Sequence, residues 1–443
     1  MALPGGALDT VVAVVTDASA RPVASAAVTW GVEAGGGAVR AMSSHTDARG
    51  MARAIWTLGP NPGDNVLAAS TTSLTARLTA VGSVGFPATA VAMGGTHACA
   101  LTRSGEAYCW GLSNLLGIGA TQSMLQTTPV RVSGGLTFTS LVAGTWHSCG
   151  LTSSGDAYCW GASPSGQIGS AQSGMIPTRV TGDHRFSALA SGAYHTCGLT
   201  TGGTILCWGD DTVGQLGFGS DRSAAVEFGV IHRSAPQPIL GDLTFVALAA
   251  SDHATCAIAT TGQAYCWGGN EGHQLGTASG TCRMLADPYY EKQDWDWPCS
   301  TKPVPIDSRV TLASLTGSGI SFCGLTADGA LLCWGSSQFV PPAVIPGARV
   351  TRAWSLGSFV CGLDVGGGVS CWTGYDGAPG NPWWPNPLVF VDLSYGGGSS
   401  CGLSRDEPAV AYCRGANTYG QLGDGTTVSR SNPVAVELPR VAR

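Results

Sequence analysis

Charge is scarce in this sequence: 11% of its 443 residues are Asp, Glu, Lys or Arg, against roughly 25% in soluble domains. Positive charge is scarcer still, with 22 Lys and Arg against 28 Asp and Glu. A net charge of −6 gives phosphates no basic face, so a nucleic-acid partner is not expected. No run of 18 apolar residues survives the Gly, Ser, Thr and Pro that interrupt it, so no membrane-spanning helix and no membrane insertion are expected. The start MALPGGALDT lacks a basic and an apolar region, so it does not read as a secretory signal; an export signal replaced by Met1, or a fragment, is expected instead. Gly-x-Ser-x-Gly, Walker A, His-Glu-x-x-His and dinucleotide motifs do not occur in a strand and helix context. No cofactor, no metal and no catalytic residue are therefore expected, and the protein is read as not an enzyme.

What the chain does have is 65 glycines and 16 cysteines, and the cysteines expose a repeat. VAMGGTHACALTRSGEAYCWG from Val91, LVAGTWHSCGLTSSGDAYCWG from Leu141, LASGAYHTCGLTTGGTILCWG from Leu189 and LAASDHATCAIATTGQAYCWG from Leu248 read alike, and looser copies surround Cys323, Cys361 and Cys401. First cysteines lie 50, 48, 59, 67, 38 and 40 residues apart, the length of a β-propeller blade, and seven copies imply seven blades.

Within each copy, alternating residues flank two turn residues and a glycine, which predicts a β-hairpin. Gly105, Gly155, Gly203, Gly262, Gly329 and Gly367 suit the left-handed position of a three-residue turn. If Thr102 and Glu106 are the hydrogen-bonded flanking pair, Cys99 faces Cys109 in a non-hydrogen-bonded site about 4.5 Å away, within disulfide reach. The same register pairs Cys149 with Cys159, Cys197 with Cys207, Cys256 with Cys266, Cys323 with Cys333 and Cys361 with Cys371. Cys401 and Cys413 are twelve apart, and two extra turn residues keep them opposed. Cys282 and Cys299 fall in one insertion and are left to each other. So many bridges imply an oxidising compartment, hence an extracellular or cell-surface location. Reduced cysteines acting as small hydrophobes are the alternative; zinc fits poorly, because its ligand pairs usually sit two to four residues apart.

After the Trp-Gly, copies continue GASPSGQIG, GDDTVGQLG, GGNEGHQLG and GANTYGQLGDG. Gly-x-x-His-[Ser/Thr]-Cys-x-Leu-Thr-x-x-Gly, then Tyr-Cys-Trp-Gly, then Gly-Gln-Leu-Gly resembles the regulator of chromosome condensation repeat over about Gly85 to Arg443. The resemblance implies an all-β, seven-bladed propeller over residues 85–443. Copies five and six lack the Gly-Gln-Leu-Gly element, and the first has GLSNLLGIG. The chain ends GQLGDGTTVSRSNPVAVELPRVAR, half a repeat, and joining it to the first hairpin would complete one blade from both termini, a closure the resemblance implies. Family members include exchange factors for the nuclear GTPase Ran, chromatin binders and a secreted bacterial inhibitor of β-lactamases; the cysteines and acidic balance fit the secreted bacterial branch.

Residues 1–84 hold no cysteine. ALDTVVAVVTDA, PVASAAVTWGV, GMARAIWTLG, NVLAAS and SLTARLTAVG read as strands of a small β-sandwich with Trp30 and Trp56 in its core. TDARGMARAIWTLGPNPGDNVLAAS, with VTWGV upstream, resembles bacterial immunoglobulin-like repeats of invasin-type surface proteins.

His97, His147, His195 and His253 recur just ahead of the first cysteines, where a structural hydrogen-bonding role is favoured over a metal or catalytic ring. Trp110, Trp160, Trp208, Trp267, Trp334 and Trp372 follow the second cysteines and are read as packing between blades rather than as a carbohydrate-stacking ladder. Individuality lies in the inserts. TASGTCRMLADPYYEKQDWDWPCSTK offers Tyr289, Tyr290, Trp295 and Trp297 as candidate binding residues, and NPWWPNP offers Trp383 and Trp384; aromatic loops of this kind form binding hot spots. The expected function is a binding or adhesion scaffold for a protein or glycan partner. Alternatives are a structural component of an envelope or extracellular assembly, with self-association, and a secreted enzyme inhibitor or glycan-active enzyme.

Overall fold

The computed structural model describes residues 7–34, 38–57, 63–82, 85–120, 123–172, 174–219, 225–227, 230–284, 295–307, 310–335, 339–355, 360–366, 368–372, 389–405 and 408–437. Two compact units divide between Phe86 and Pro87.

In the first unit, strands Ala7–Val14, Met51–Thr57 and Ala38–Ala41 form one antiparallel sheet, and Thr29–Ala34, Gly63–Ser70 and Thr75–Gly82 form another. Trp56 of the first sheet and Leu67 of the second are fully buried together, with Val11, Trp30, Val32 and Val39 packed around them. The strand Ala38–Ala41 has no counterpart in the sequence reading, because its four residues lie in a Gly-rich stretch too short for alternation to register.

The second unit is a seven-bladed propeller, each blade an antiparallel sheet made from consecutive strands. Its innermost strands are Ala90–Met93, Ser140–Ala143, Phe186–Ser191, Phe245–Ala250, Ser314–Ser318, Arg352–Ser355 and Phe390–Gly396. Each borders the next, and the last borders the first, so the seven inner strands close a ring around the axis. The hairpin logic holds in detail. Thr102 N donates to Glu106 O at 3.0 Å and Gly105, with φ +82°, turns the chain. Cys99 therefore stands opposite Cys109, and the equivalent residues of the other six blades oppose each other likewise. Their Cα atoms are 4.0 to 4.1 Å apart and all seven pairs are bridged.

These bridges are packing elements as well as staples. The Cys149–Cys159 bridge shares a core with Ile168 of its own blade and with Phe186 and Trp208 of the next. Equivalent clusters join the third blade to Trp267, the fourth to Trp334 and the fifth to Trp372. The indole also reads the backbone of its neighbour: Trp208 Nε1 donates to Gln167 O at 2.9 Å and Trp334 Nε1 to Gln274 O at 3.0 Å. The closeness of the ring explains the last glycine of the Gly-Gln-Leu-Gly element. Gly217 has φ +77° and lies so close to Trp267 that a Cβ would come within 2.8 Å of Nε1.

Closure differs from the expectation. Strands Phe390–Gly396, Ser399–Ser404, Ala411–Gly415 and Arg430–Ala435 make the whole seventh blade from contiguous chain, because each repeat already contains its own inner strand ahead of the cysteine hairpin. Among the described residues no strand is exchanged between the first and seventh blades. The ring closes through the ordinary interblade contact, Trp110 Nε1 to Gln421 O at 2.9 Å, supported by Gly425 N to Thr127 O at 2.9 Å and a bridge between Pro87 and Val410.

Replacing Trp208 by Ala is expected to destabilise the propeller by about 3–5 kcal/mol, the usual range for emptying a core indole site. Trp208→Phe keeps most of the contact and leaves Gln167 O bonded to Thr196 Oγ1 at 2.8 Å, so its cost is expected near 1 kcal/mol. Urea denaturation of the two variants checks the order; equal losses would mean the hydrogen bond, rather than the ring, holds the interface.

Candidate functional site

In each blade the first strand runs up, the second down and the third up, so the loops after the first and third strands share one face and the hairpin turns share the other. The hairpin face is repetitive and charge-neutralised. Glu106 pairs with Arg131 at 2.5 Å, Asp156 with Arg179 and Arg185 at 2.7 Å each, and Asp328 with Arg349 at 3.7 Å.

The loop face carries the individuality. Thr96, Trp146, Tyr194, His253 and Ile320 occupy one equivalent place, the residue just ahead of the second strand or its register equivalent. Trp146 and Tyr194 are half-buried and stacked, with ring centroids 6.4 Å apart at 26°. Inside this arc lies the axial mouth, a cavity of 360 Å³ lined largely by glycines of the loops after the first strands. Backbone hydrogen bonds tie neighbouring loops together: Gly95 N to Thr145 O at 3.2 Å, Ala193 N to Asp252 O at 3.1 Å, and Asp252 N to Gly319 O at 2.9 Å. Glycine is required here because the loops touch; a Cβ on Gly192 would meet Ser251 O at 2.5 Å.

Three of the four repeat histidines are structural. His97, His147 and His195 are fully buried, and their Nε2 atoms lie 2.7 Å from Ser148 Oγ, 2.7 Å from Thr196 Oγ1 and 2.9 Å from Thr255 Oγ1 of the following blade. Thr196 and Thr255 donate their hydroxyl protons to Gln167 O and Gln215 O. They must therefore accept from histidine, which fixes His147 and His195 as neutral Nε2–H tautomers. Burial pushes the three imidazoles down, to about 4 for His97 and about 3 for His147 and His195.

His253 is different. Ala254, not His253, occupies the slot opposite the Trp-Gly glycine, pairing with Gly268 as His195 pairs with Gly209. Displaced by one residue, His253 is part-exposed, with Nδ1 3.7 Å from Glu271 Oε1. The Glu271 carboxylate raises its pKa, against the opposing effect of burial. Burial works against the charge of Glu271 itself, but His253, a backbone N–H and Trp297 outweigh it and hold the carboxyl at about 2. Burial also pushes up the carboxyls of Asp252 in the mouth and of Asp210, whose oxygens accept from Thr212 N at 3.0 Å and Gln215 Nε2 at 2.7 Å.

Cys282 and Cys299 are bridged, Cα atoms 5.7 Å apart, across a two-stranded ribbon of Gly280–Met284 with Trp295–Pro305 at the outer edge of the fourth blade. Trp297 of that ribbon is half-buried and donates from Nε1 to Glu271 Oε2 at 3.2 Å, which brings it to the same cluster as His253. Trp295 sits at the far end of the ribbon, opposite Met284. Tyr289, Tyr290, Trp383 and Trp384 lie outside the described residues. The tryptophans after the second cysteines are buried, Trp372 included, which removes a carbohydrate-stacking ladder. Sequence reasoning missed Trp146, Tyr194, Asp252 and Glu271. The signal was there in Trp146 and Tyr194, since the residue ahead of an otherwise repetitive histidine changes from blade to blade.

Models of the regulator of chromosome condensation (RCC1) repeat match residues 88–117, 138–167, 186–215 and 245–274, and a second model of that repeat matches 410–443. The propeller is thus RCC1-like. None of the curated proteins matches the sequence significantly. Among solved structures, human WBSCR16 superposes with a TM-score of 0.61 at 18% identity, over 76% of this chain and 95% of its own, which shows the shared fold. Yeast RCC1 (Prp20), solved bound to Kap60, gives 0.47 at 20% identity over 79% and 75%. The ectodomain of the receptor kinase CR4 from Physcomitrella patens gives 0.48 at 20% identity over 74% and 73%.

Proposed function

We propose that the protein is a non-enzymatic extracellular recognition module of the secreted bacterial kind, which binds a protein partner through the loop face of its propeller. The carrying observation is the arc of Trp146, Tyr194 and His253 by the axial mouth, extended outward through Glu271 to Trp297 of the fourth blade's ribbon, on the face whose loops vary between blades. Half-buried aromatics at the centre of a rigid surface are the usual anchors of protein interfaces. The eight bridges support an oxidising location. In this reading the N-terminal unit, resembling bacterial immunoglobulin-like repeats, is a spacer that carries the propeller.

Capture of partners from the native surface by the full chain tests this. The double variant Trp146→Ala/Tyr194→Ala is expected to weaken capture by more than about thirtyfold, the equivalent of one hot spot of ~2 kcal/mol. Arg131→Ala on the hairpin face is expected to leave it unchanged. Equal capture by the double variant, or loss through Arg131→Ala alone, would overturn the assignment of the face. Self-association of the chain in sedimentation with no partner retained would favour a structural role instead.

A further inference from the structure

Resting on that reading, we propose that the axial mouth is a cation subsite, in which Asp252 takes the ammonium group of a lysine side chain presented by the protein partner. The cavity holds 360 Å³, and Asp252 is the one charged side chain among the described residues that line it. Its position is set by its backbone, whose N–H and C=O are both committed to neighbouring blades, Gly319 O and Ala193 N. The side chain has no such commitment: no hydrogen bond reaches the Asp252 carboxylate from any described residue.

Among the described carboxylates of the propeller that are not exposed, that isolation is unusual. Glu106, Asp156, Asp328 and Asp392 each have an arginine partner, and Glu271 is engaged by Trp297 and His253. A half-buried carboxylate without a hydrogen-bond donor carries a desolvation cost, which an arriving ammonium reduces. His253 and Glu271 are the charged groups beside Asp252 and act in opposite directions, His253 favouring the charged carboxylate more than Glu271 opposes it, without outweighing burial. Within the described lining of the mouth itself, Asp252 supplies the single negative charge.

Chemistry favours ammonium over guanidinium. Tyr395 and Ser191 also line the mouth, and the buried Ser191 Oγ has no hydrogen-bond partner. A carboxylate and two hydroxyls disposed around a cavity suit the three donors of a compact –NH₃⁺, whereas a planar guanidinium fork favours bidentate contact with one carboxylate. Beneath the mouth the axial tunnel, of 250 Å³, mixes Val142, Leu189 and Leu248 with Ser191, Ser318 and Ser394 and has no charged side chain among its described residues, so Asp252 is the carboxylate an entering cation meets.

n-Butylammonium is the probe, titrated into the full chain with the amide resonances of Gly144, Gly192, Asp252 and Gly319 followed by NMR. Saturable shifts confined to the mouth are expected, at least tenfold weaker in Asp252→Asn and Asp252→Ser, with n-butanol giving none and n-butylguanidinium binding more weakly. Unchanged binding in both variants, equal binding of n-butanol, or tighter binding of n-butylguanidinium would overturn the proposal. Thermal melting of both variants verifies that each is folded. The Trp146→Ala/Tyr194→Ala variant is expected to bind the probe normally. Failure of the probe while partner capture still depends on Trp146 and Tyr194 removes only the subsite; probe binding with capture indifferent to those aromatics removes the recognition reading alone.

Discussion

Full reduction of the protein is expected to unfold the propeller under conditions where the oxidised form is stable. Each blade bridge closes a ring of ten to twelve residues in sequence, for which loop entropy gives about 2–3 kcal/mol. The seven rings are local and do not overlap, so their contributions add to first order, to roughly 14–21 kcal/mol. That is at least as large as the net stability of about 5–15 kcal/mol typical of folded domains. The bridges also form the floor on which the next blade's tryptophan rests. Urea denaturation with and without a phosphine reductant measures the effect. A graded series is informative: Cys197→Ala/Cys207→Ala is expected to cost about 2–3 kcal/mol. Cys282→Ala/Cys299→Ala, which opens only the outer ribbon, is expected to leave the propeller transition in place. A reduced protein as stable as the oxidised one would show that packing alone holds the blades.

Acidification is expected to have the second large effect. An unfolded histidine titrates near 6.5, whereas His97 titrates near 4 and His147 and His195 near 3 in the folded protein, because each is fully buried and neutral. Above pH 6.5 both states are deprotonated and the three residues contribute no pH dependence. Between pH 6.5 and about 4 the unfolded chain takes up protons that the folded chain refuses, so stability falls with pH by about 1.4 kcal/mol per unit per histidine, or roughly 4 in all. Glu271, held down at about 2, adds its loss only below its ordinary 4.5. His253, shifted up, contributes stability that is fully present below 6.5 and is lost as pH rises through its folded value. Chemical denaturation at pH 7, 6, 5 and 4.5 reads the slope. His97→Gln/His147→Gln/His195→Gln keeps a donor near each hydroxyl and is expected to flatten it; a slope unchanged in that variant would move the acid sensitivity elsewhere.

The repeat made the blades legible from sequence. Hairpin register follows from turn length and alternation, which are local, so the position of Cys99 opposite Cys109 could be counted along the chain. The burial of Trp208 followed from its repetition at every blade, since a residue that recurs with the scaffold serves the scaffold. Closure did not follow, because the phase of a repeat is ambiguous until the inner strand Ala90–Met93 is seen to begin the first blade. His253 illustrates the same difficulty at one-residue scale. It reads as a repeat histidine, yet the strand register gives that place to Ala254 and turns His253 towards Glu271. The mouth was the least legible part. Trp146 and Asp252 come from blades far apart in sequence, and convergence around an axis leaves no local periodicity.

Hydroxyl-radical footprinting of the full chain, free and in complex with a partner captured from the native surface, decides which face of the propeller recognises that partner. Trp146, Tyr194 and Trp297 are expected to be protected in the complex, with the hairpin turns around Glu106, Asp156 and Asp328 as reactive as in the free protein. Protection of those turns, with the three aromatics unchanged, would place recognition on the hairpin face instead.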